Sequence, residues 1–213
     1  MNKLRTLGLA AVAMVGCAHA APITVSSYDT VNGDSGPSGG YWDDTYNGTG
    51  TVTQDGAPLT GGTGDLTNGI IDQDGWVVSE LQSSASSYVG WLASSVDVTF
   101  NFDPGTVLDS VTVHFADSNG FAGVDYIDQV TVGGQVFTFT DPGNVLTSSL
   151  TVPLGGIVTQ ALTMTFESAG AWIFISEVEF DGTQGMSAVP VPGAALLLGS
   201  AVPFFLRRKS AKR

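Results

Sequence analysis

Positive charge is absent from almost the whole length of this chain. All seven Lys and Arg residues lie at the two ends, and residues 6–206 contain none, although they hold all 20 Asp and Glu residues. Binding to nucleic acid depends on Lys and Arg contacts with phosphate, so the composition excludes nucleic acid as a partner. It also disfavours phosphorylated and sulfated partners. Neutral glycans, cationic groups and divalent metal ions are the partners expected of such an acidic body.

Residues suited to catalysis are also scarce. His114 is the only histidine after residue 20, and the chain has a single cysteine, Cys17. These residues provide no histidine metal cluster and no His–His relay, and a Ser-His-Asp triad would have to use His114. That residue alternates with apolar neighbours and is predicted to face solvent. Paired carboxylates can hydrolyse glycosides, but no pair stands out. We therefore predict a non-catalytic protein, with a glycoside-acting enzyme as the third choice.

The amino end has the layout of a secretory signal peptide. A short basic stretch precedes an apolar run over residues 7–15, which is shorter than the roughly 20 residues of a bilayer span. Ala18 and Ala20 then supply the small-x-small pattern that signal peptidase reads. We predict that residues 1–20 are the signal peptide, cleaved after Ala20. Lipidation of Cys17 stays open as an alternative; after cleavage at Ala20 the protein would have no cysteine for a disulfide.

The carboxyl end combines a Pro-containing motif, a short apolar segment and a basic tail. Residues 184–192 form a linker, residues 193–206 are apolar, and residues 207–213 are basic. The apolar segment is short for a bilayer span and contains Pro203, which interrupts helical hydrogen bonding. The basic tail would stay cytoplasmic by the positive-inside rule, with the body outside the inner membrane. The motif residues are Val189, Pro190, Val191, Pro192 and Gly193, and the basic tail begins with Arg207 and Arg208.

This end resembles the PEP-CTERM sorting signal of Gram-negative bacteria, in its Val-Pro-Leu-Pro-Ala variant. Val191 stands where the family's name-giving Glu would be, and Gly193 replaces the variant's usual Ala. The resemblance implies export by the secretion machinery, transient insertion in the inner membrane and processing by an exosortase-type protease. It also implies delivery to the cell surface or the exopolysaccharide matrix. A permanent tail anchor is the alternative.

The body, residues 21–183, consists of short alternating runs separated by turns. Residues 96–102 place Val96, Val98, Phe100 and Phe102 on one face. No sustained helical period is present. We predict an all-β antiparallel sandwich, with a loop-rich part over residues 29–68 and short strands at 23–27 and 51–53. The other alternating runs are residues 111–115, 130–132, 136–139, 150–152 and 162–166.

Three stretches of the body resemble the discoidin, or F5/8 type C, group of galactose-binding-like jelly rolls. They are residues 64–69 followed by Trp76, residues 107–115, and residues 172–182. The resemblance implies a jelly-roll sandwich. In discoidin-like carbohydrate-binding modules a calcium ion often lies between the early turn and the Glu of the closing strand. Carried onto this chain, that implies calcium ligands among Asp65, Asn68, Asp72, Asp74 and Glu177.

Residues 72–75 support calcium independently of the resemblance, because they place two carboxylates two residues apart before a glycine. Calcium binds six to eight oxygens of this kind. An acidic body without Lys or Arg also cannot neutralise clustered carboxylates by salt bridges.

Aromatic residues in loops are predicted to bind the glycan, since sugar rings stack on aromatic faces. Trp76, Trp91 and Trp172 lie at strand-like or motif positions and are predicted to be core. We expect a surface or matrix protein that binds extracellular polysaccharide with calcium support; the alternative is a purely structural matrix or adhesion protein without a specific ligand. The glycan-binding candidates are Tyr41, Trp42, Tyr46, Phe121 and Tyr126.

Overall fold

The computed structural model describes residues 21–37, 39–82, 87–143 and 146–185. The predicted signal peptide, sorting motif, apolar segment and basic tail lie outside these residues. Within the described part of the chain, no helix has the length and apolar character needed to cross a membrane.

The described residues form strands joined by turns, with one α-helix, α1, over Trp76–Gln82. Short 3-10 helices cover Asp65–Thr67 and Phe121–Gly123. The strands are β1 (Ala21–Ile23), β2 (Ser27–Val31), β3 (Ser35–Gly36), β4 (Gly39–Gly40), β5 (Pro58–Gly62), β6 (Val89–Trp91), β7 (Ser95–Asn101), β8 (Val107–Ala116), β9 (Ile127–Val132), β10 (Gln135–Thr138), β11 (Thr147–Val158), β12 (Ala161–Ser168) and β13 (Ile173–Thr183).

Two antiparallel sheets make up the sandwich. One has the order β1-β13-β8-β11, with β6 also paired to β13, and the other has the order β10-β9-β12-β7-β2-β5. Strand β1 pairs with the end of β13, with Ala21 opposite Gly182. Strand β6 pairs with the beginning of β13, with Ile173 opposite Trp91. The long strand β13 therefore runs from one end of the sandwich to the other.

The core lies between the two sheets and follows from strand alternation. In β7 the residues Val96, Val98 and Phe100 are buried while their neighbours point outward, as expected for a side-chain period of two. Phe180 of β13 meets Phe100 across the core at a ring-centroid distance of 5.0 Å. Trp91 is buried with this cluster, which confirms its predicted core position.

The predicted all-β sandwich is confirmed. The six predicted alternating runs lie on β-strands, except that Phe102 and Phe139 each lie one residue beyond the end of a strand. Three local predictions are wrong. Residues 23–27 are not one strand: β1 ends at Ile23 and β2 begins at Ser27, because the chain crosses from one sheet to the other between them. Residues 51–53 form no strand; Asn32, fully buried, donates its amide to the carbonyls of Thr51 and Gln54, and this holds the segment as a turn. The helix α1 was also not predicted, because seven residues are too few to show a helical period.

Candidate ligand-binding site

Four aromatic rings and three smaller apolar residues enclose a cavity of about 270 Å³ beside the first residues of β13. The rings come from three separate parts of the chain. We call this cavity the aromatic pocket. Its lining residues are Pro37, Tyr41, Trp76, Ala122, Val124, Trp172 and Phe174.

Tyr41 is at the centre of the ring cluster. Its centroid lies 4.9 Å from Phe174 and 5.4 Å from Trp172, with interplanar angles of 66° and 87°. Trp76 stacks on Phe174 at 5.2 Å and 27°. Edge-to-face and offset-stacked pairs are the favoured aromatic geometries, so the rings hold one another in place. Tyr41 and Phe174 are buried, whereas Trp76 and Trp172 keep part of their surface open to solvent.

Helix α1 positions Trp76. The helix starts directly after Gly75, whose φ of +74° only glycine adopts easily, and the Gly75 carbonyl accepts the amides of Val78 and Ser79. The Trp76 indole Nε1 donates a hydrogen bond of 2.9 Å to Ser118 Oγ. This bond fixes the helix to residues 117–124, which we call the wall loop.

The wall loop carries Ala122 and Val124 into the pocket. Asn119 and Ala122 have φ values of +48° and +54°, a left-handed conformation that costs roughly 1–2 kcal/mol for a residue with a Cβ. The loop is held by Gly123, whose carbonyl accepts the Trp172 amide at 3.0 Å. Strained residues that persist under such restraints are frequent at binding sites.

Two glycines let aromatic rings lie directly against backbone. A Cβ added to Gly90 would be 2.6 Å from Phe174 Cε1, and one added to Gly36 would be 2.4 Å from Tyr41 Cε2. Neither distance is possible without movement. Gly90 and Gly36 therefore define where the buried rings of the pocket lie.

A second feature of the structure, a network of polar side chains, links the loops of the sandwich to β13. The Tyr28 hydroxyl donates to Asp43 Oδ2, and the Asp65 amide donates to Asp43 Oδ1 at 2.9 Å. Asn68 donates to Asp65 Oδ1 at 3.1 Å, and the amide of the next residue donates to Glu177 Oε2 at 2.9 Å. We call Tyr28, Asp43, Asp65, Asn68 and Glu177 the acidic network.

Burial raises the pKa of the carboxyl groups in the acidic network. It raises the pKa of Asp65 to about 7, opposed by the hydrogen bond from Thr45 and reinforced by Asp43. It raises the pKa of Glu177 to about 7 and also raises that of Asp43. No Lys or Arg lies anywhere in residues 6–206 to offset these charges. Removing carboxylates from water without a positive partner favours their neutral form.

The predicted calcium ligands fall into two groups. Asp65, Asn68 and Glu177 are joined in the acidic network, while the Asp74 amide donates to Asp72 Oδ1 at 2.8 Å within a separate turn. Among the described residues, no three His, Cys, Asp or Glu side chains are grouped so as to hold a metal ion. Asp65 Oδ2 is buried without a hydrogen-bond partner. Calcium binding stays a prediction.

The predicted glycan residues are scattered. Tyr46 is buried in the inter-sheet core and donates its hydroxyl to the Tyr28 carbonyl at 2.6 Å, so its ring faces are covered. Trp42 lies outside the aromatic pocket and donates Nε1 to Asp55 Oδ1 at 2.7 Å. Tyr126 packs partly buried against the core. None of these three residues lines the aromatic pocket.

Two predicted residues lie at or near the pocket. Tyr41 lines it as a buried ring, and Phe121, 65% exposed, precedes the pocket residue Ala122 in the wall loop. The open rings, Trp76 and Trp172, were predicted to be core. Their sequence positions gave no sign of exposure, because the helix that carries Trp76 is too short to predict and Trp172 directly precedes the alternating run of β13.

His114 lies on β8 and is only partly exposed, since its side chain pairs with Glu179 of β13 at 2.9 Å. The prediction of a solvent-facing residue is therefore only partly right. The ring touches a strand carboxylate on the sheet face and is not among the residues lining the aromatic pocket.

The two-sheet architecture, closed by β13 and carrying a loop-built pocket at one end, defines a discoidin-like β-sandwich. The family model described as "Discoidin domain-containing receptor 1/2, DS-like domain" matches residues 24–182. That match covers well over half of the chain, which therefore belongs to the DS-like domain family.

Three solved structures illustrate the similarity. The chain is 12% identical to CpGH89CBM32-6 produced by Clostridium perfringens, with 48% of this chain and 81% of that chain covered and a TM-score of 0.28. The chain is 18% identical to GH31 CBM32-2 bound to GalNAc, with 55% of this chain and 90% of that chain covered and a TM-score of 0.30. It is 14% identical to the Agl-KA catalytic domain, with 49% of this chain covered and a TM-score of 0.31. The match spans only 23% of that structure. None of the curated proteins matches the sequence.

Proposed function

We propose that this protein is an exported, non-catalytic carbohydrate-binding protein whose glycan lies in the aromatic pocket. The observation that carries the proposal is the pair of part-exposed indoles, Trp76 and Trp172, held by two buried rings. Ligand sites in proteins combine aromatic walls with a few polar groups. A sugar ring offers an apolar C–H face to such walls while its hydroxyls reach the polar rim. The DS-like family membership agrees with a binding role.

The pocket is preformed, which favours binding. The Trp76 indole is fixed by its hydrogen bond to Ser118. Trp172 is fixed by the hydrogen bond that its backbone amide donates to the Gly123 carbonyl and by edge-to-face packing with Tyr41. A ligand that stacks on rings already in place loses little free energy to ordering the protein. The volume of about 270 Å³ is just below the usual range of ligand pockets, which fits one or two sugar units better than a long chain.

The test is a comparison of two tryptophan variants. Trp172→Ala removes an open pocket ring and is expected to lower affinity for an extracellular polysaccharide about five- to thirtyfold, since stacking on an aromatic side chain is worth roughly 1–2 kcal/mol. Trp42→Ala is the matched control, because Trp42 bonds to Asp55 away from the pocket. Affinity is measured by calorimetry or retardation in polysaccharide gels.

The proposal fails if both variants bind as the unsubstituted protein does. Failure of the unsubstituted protein to bind any glycan on a broad array would instead favour a structural matrix protein without a specific ligand. Thermal midpoints of both variants, measured in parallel, show that each is folded at the temperature of the binding assay.

We extend the proposal to calcium held by the acidic network. The proposal is supported by Asp65 Oδ2, which is buried without a hydrogen-bond partner, and by the lack of Lys and Arg in residues 6–206 to neutralise the network's carboxylates. The carboxylates of the described residues do not themselves lie as a group of three around one point, so calcium would have to draw Asp65 and Glu177 together. Asp65, Asn68 and Glu177 would hold the ion. The bound ion would supply positive charge that ties the loops to β13.

Calcium binding is tested on thermal stability. In buffer above pH 7, millimolar calcium is expected to raise the thermal unfolding midpoint of the protein, because a ligand that binds only the folded state stabilises it. Magnesium is expected to raise the midpoint less. Asp65→Asn should remove the shift, whereas Asp97→Asn, at a carboxylate on the outer face of β7 that accepts the Thr165 hydroxyl, should keep it. The absence of any calcium shift would contradict the proposal.

Sorting completes the proposal. A PEP-CTERM-like signal would direct the domain through the inner membrane to the cell surface or extracellular matrix of a Gram-negative bacterium. Mass spectrometry of protein from the culture medium tests it: loss of the chain beyond about residue 192, together with a start at Ala21, is the expected result. An intact carboxyl end in the membrane fraction would indicate a tail anchor, and a lipidated Cys17 would replace the predicted cleavage.

A further inference from the structure

A second hollow lies on the outer face of the sheet that contains β13. It has a volume of about 420 Å³ and lies between residues 71–73 and the start of β11, with a residue of β8 beneath them. We call it the polar groove, because most of the side chains that line it are polar. These polar lining residues are Asp72, Gln73, His114, Thr147, Ser148 and Ser149.

The polar groove and the aromatic pocket share one face of the sheet. Ala116 of β8 packs in one cluster with the pocket residues Tyr41 and Phe174. His114, two residues earlier on the same strand, lines the polar groove. Side chains two residues apart on a strand point to the same face and are separated by about 6–7 Å. Phe115, between them, points into the inter-sheet core. The two hollows are therefore neighbours along β8.

Backbone contacts join the borders of the two hollows. Gln73 lines the groove and Trp76 lines the pocket, and three residues of chain span at most about 11 Å. A Cβ added to Gly75 would be 3.0 Å from the carbonyl oxygen of Leu146, the residue before the groove residue Thr147. The same carbonyl accepts the amide of residue 117, the first of the wall loop, at 3.2 Å. One short turn thus separates the groove from the pocket.

The aromatic pocket offers stacking but few hydrogen bonds. The indole N–H of Trp76 is already donated to Ser118. The amide of Val124 in the wall loop is donated to the Phe121 carbonyl at 3.1 Å. A sugar in this pocket gains few hydrogen bonds from the protein. The lining side chains without any polar atom are those of Pro37, Ala122, Val124 and Phe174.

The polar groove offers what the pocket lacks. Gln73 and Ser149 are exposed, and Ser148 is partly exposed. Hydroxyl and amide groups both donate and accept hydrogen bonds, as sugar hydroxyls do. Asp72 is buried, and its two oxygens accept hydrogen bonds from its own segment, so it holds the shape of the groove. Residues 6–206 contain no Lys or Arg, so the groove suits an uncharged ligand.

We infer that the protein binds its polysaccharide as a chain segment that occupies both hollows. One or two sugar units lie on the rings of the aromatic pocket, and the following units lie in the polar groove against Gln73, Ser148 and Ser149. This inference rests on the proposed carbohydrate-binding function. It names the form of the ligand, a neutral chain of several units rather than a single terminal sugar, and it assigns a second subsite.

The experiment measures affinity against chain length. The probe is the extracellular polysaccharide of the source bacterium, partly hydrolysed in acid and separated into fragments of two, four and six units. Calorimetry should show that the six-unit fragment binds about tenfold or more tightly than the two-unit fragment, because each added hydrogen bond contributes a factor of about two to ten.

Substitutions in the groove locate the added contacts. Gln73→Ala and Ser149→Ala should each lower the affinity for the six-unit fragment about two- to tenfold and leave that for the two-unit fragment unchanged. Trp172→Ala should lower the affinity for both fragments. The matched controls are Gln135→Ala and Ser95→Ala, at exposed positions of the other sheet, and should change neither affinity.

The outcomes separate the two proposals. Equal affinities for the two-unit and six-unit fragments, or a gain with length that survives both groove substitutions, would overturn the inference and leave the carbohydrate-binding function in place. A groove substitution that weakens the two-unit fragment equally would also overturn it, since the substitution would then act by disturbing the pocket. Binding of the intact polysaccharide but of no fragment would count against it too. Failure of the intact polysaccharide and of every other glycan tested to bind would overturn the proposed function itself.

Discussion

The inter-sheet core and the aromatic pocket are both assemblies of packed rings, but different parts of the fold build them. In the core, the ring centroid of Phe180 on β13 lies 5.0 Å from that of Phe100 on β7. It lies equally far, at 5.0 Å, from that of Phe102, which directly follows β7. In the pocket, Tyr41 and Trp76 come from loop and helix segments far apart in the chain. Strand alternation produces the core. The pocket exists because separate segments are pinned at one end of that core.

The largest expected effect belongs to the core. Phe100→Ala removes a fully buried ring that contacts Tyr28 and Phe180. We expect it to lower the free energy of unfolding by about 3–5 kcal/mol, measured by urea denaturation. Glycan affinity at a temperature where the variant is folded should be unchanged. Phe121→Ala, at an exposed ring, is the control and should change stability by about 0.5 kcal/mol or less. A large loss of affinity in folded Phe100→Ala would show that core and pocket are coupled.

The next effect concerns pH and the acidic network. The pKa of Asp65 and that of Glu177 are raised to about 7 in the folded protein, whereas such groups titrate at about 4 when unfolded. The folded state then binds more protons between these values, so stability is highest below about pH 4, falls as the pH rises to about 7, and levels off above it. The fall should be on the order of a few kcal/mol.

The measurement is urea denaturation from pH 4 to 8 with a chelator present. Asp65→Asn and Glu177→Gln should each flatten the profile. Asp55→Asn is the control of opposite sign, because hydrogen bonds from Ser35 and Trp42 lower the pKa of Asp55. A profile that rises between pH 4 and 7 would contradict the assignment of raised pKa values to the acidic network.

A smaller stability effect with a large binding effect is expected at Gly90. Gly90→Ala places a Cβ 2.6 Å from Phe174 Cε1 and 2.9 Å from Tyr41 Cβ, so the rings that line the pocket must shift. We expect a cost of about 1–3 kcal/mol in stability, as in other over-packed sites, and a marked loss of glycan affinity. Gly40→Ala creates a similar clash with Trp42 outside the pocket, so it should lose stability but keep affinity. Equal affinities of the two variants would show that the position of Phe174 does not matter for binding.

The smallest effect is expected on the outer sheet face. Glu179→Gln removes the charged partner of His114 at a half-exposed position. Pairs of this kind contribute about 0–1 kcal/mol, so stability should change by less than about 1 kcal/mol. Binding should be unchanged. A loss of affinity would extend the ligand contacts from the polar groove to Glu179 and weaken the separation between the sheets and the pocket.

The sequence predicted the sandwich because alternation with a period of two is a local signal. Phe100 and Met164 are buried where the alternation places them. The pocket could not be predicted in the same way. Trp76 depends on a seven-residue helix, and Trp172 depends on a wall loop whose left-handed Ala122 has no sequence signature. Tyr46, although it lies in a loop segment, is buried in the inter-sheet core.

Asp65, Asn68, Asp72, Asp74 and Glu177 are predicted together as calcium ligands, and calcium binding stays a prediction. The structure joins Asp65, Asn68 and Glu177 by hydrogen bonds, through the amide that follows Asn68, and leaves Asp72 and Asp74 in a separate turn. Asp43 was missed, although it accepts from both Tyr28 and Asp65. Its contacts connect positions 15 and 22 residues apart in a loop region without alternation. Such pairings are set by the folded chain rather than by spacing.

The pairing of β1 with the end of β13 also determines which way the domain points. Ala21 and Thr183, the first strand residue and the last, lie at one end of the sandwich, while Trp172 and Phe174 stand at the beginning of β13. At about 3.3 Å per residue, the eight steps from Phe174 to Gly182 separate these two ends by roughly 26 Å. The aromatic pocket and the two ends of the described β-sandwich therefore lie at opposite ends of the domain. A molecule that enters the pocket approaches the domain from the side away from residues 21 and 183.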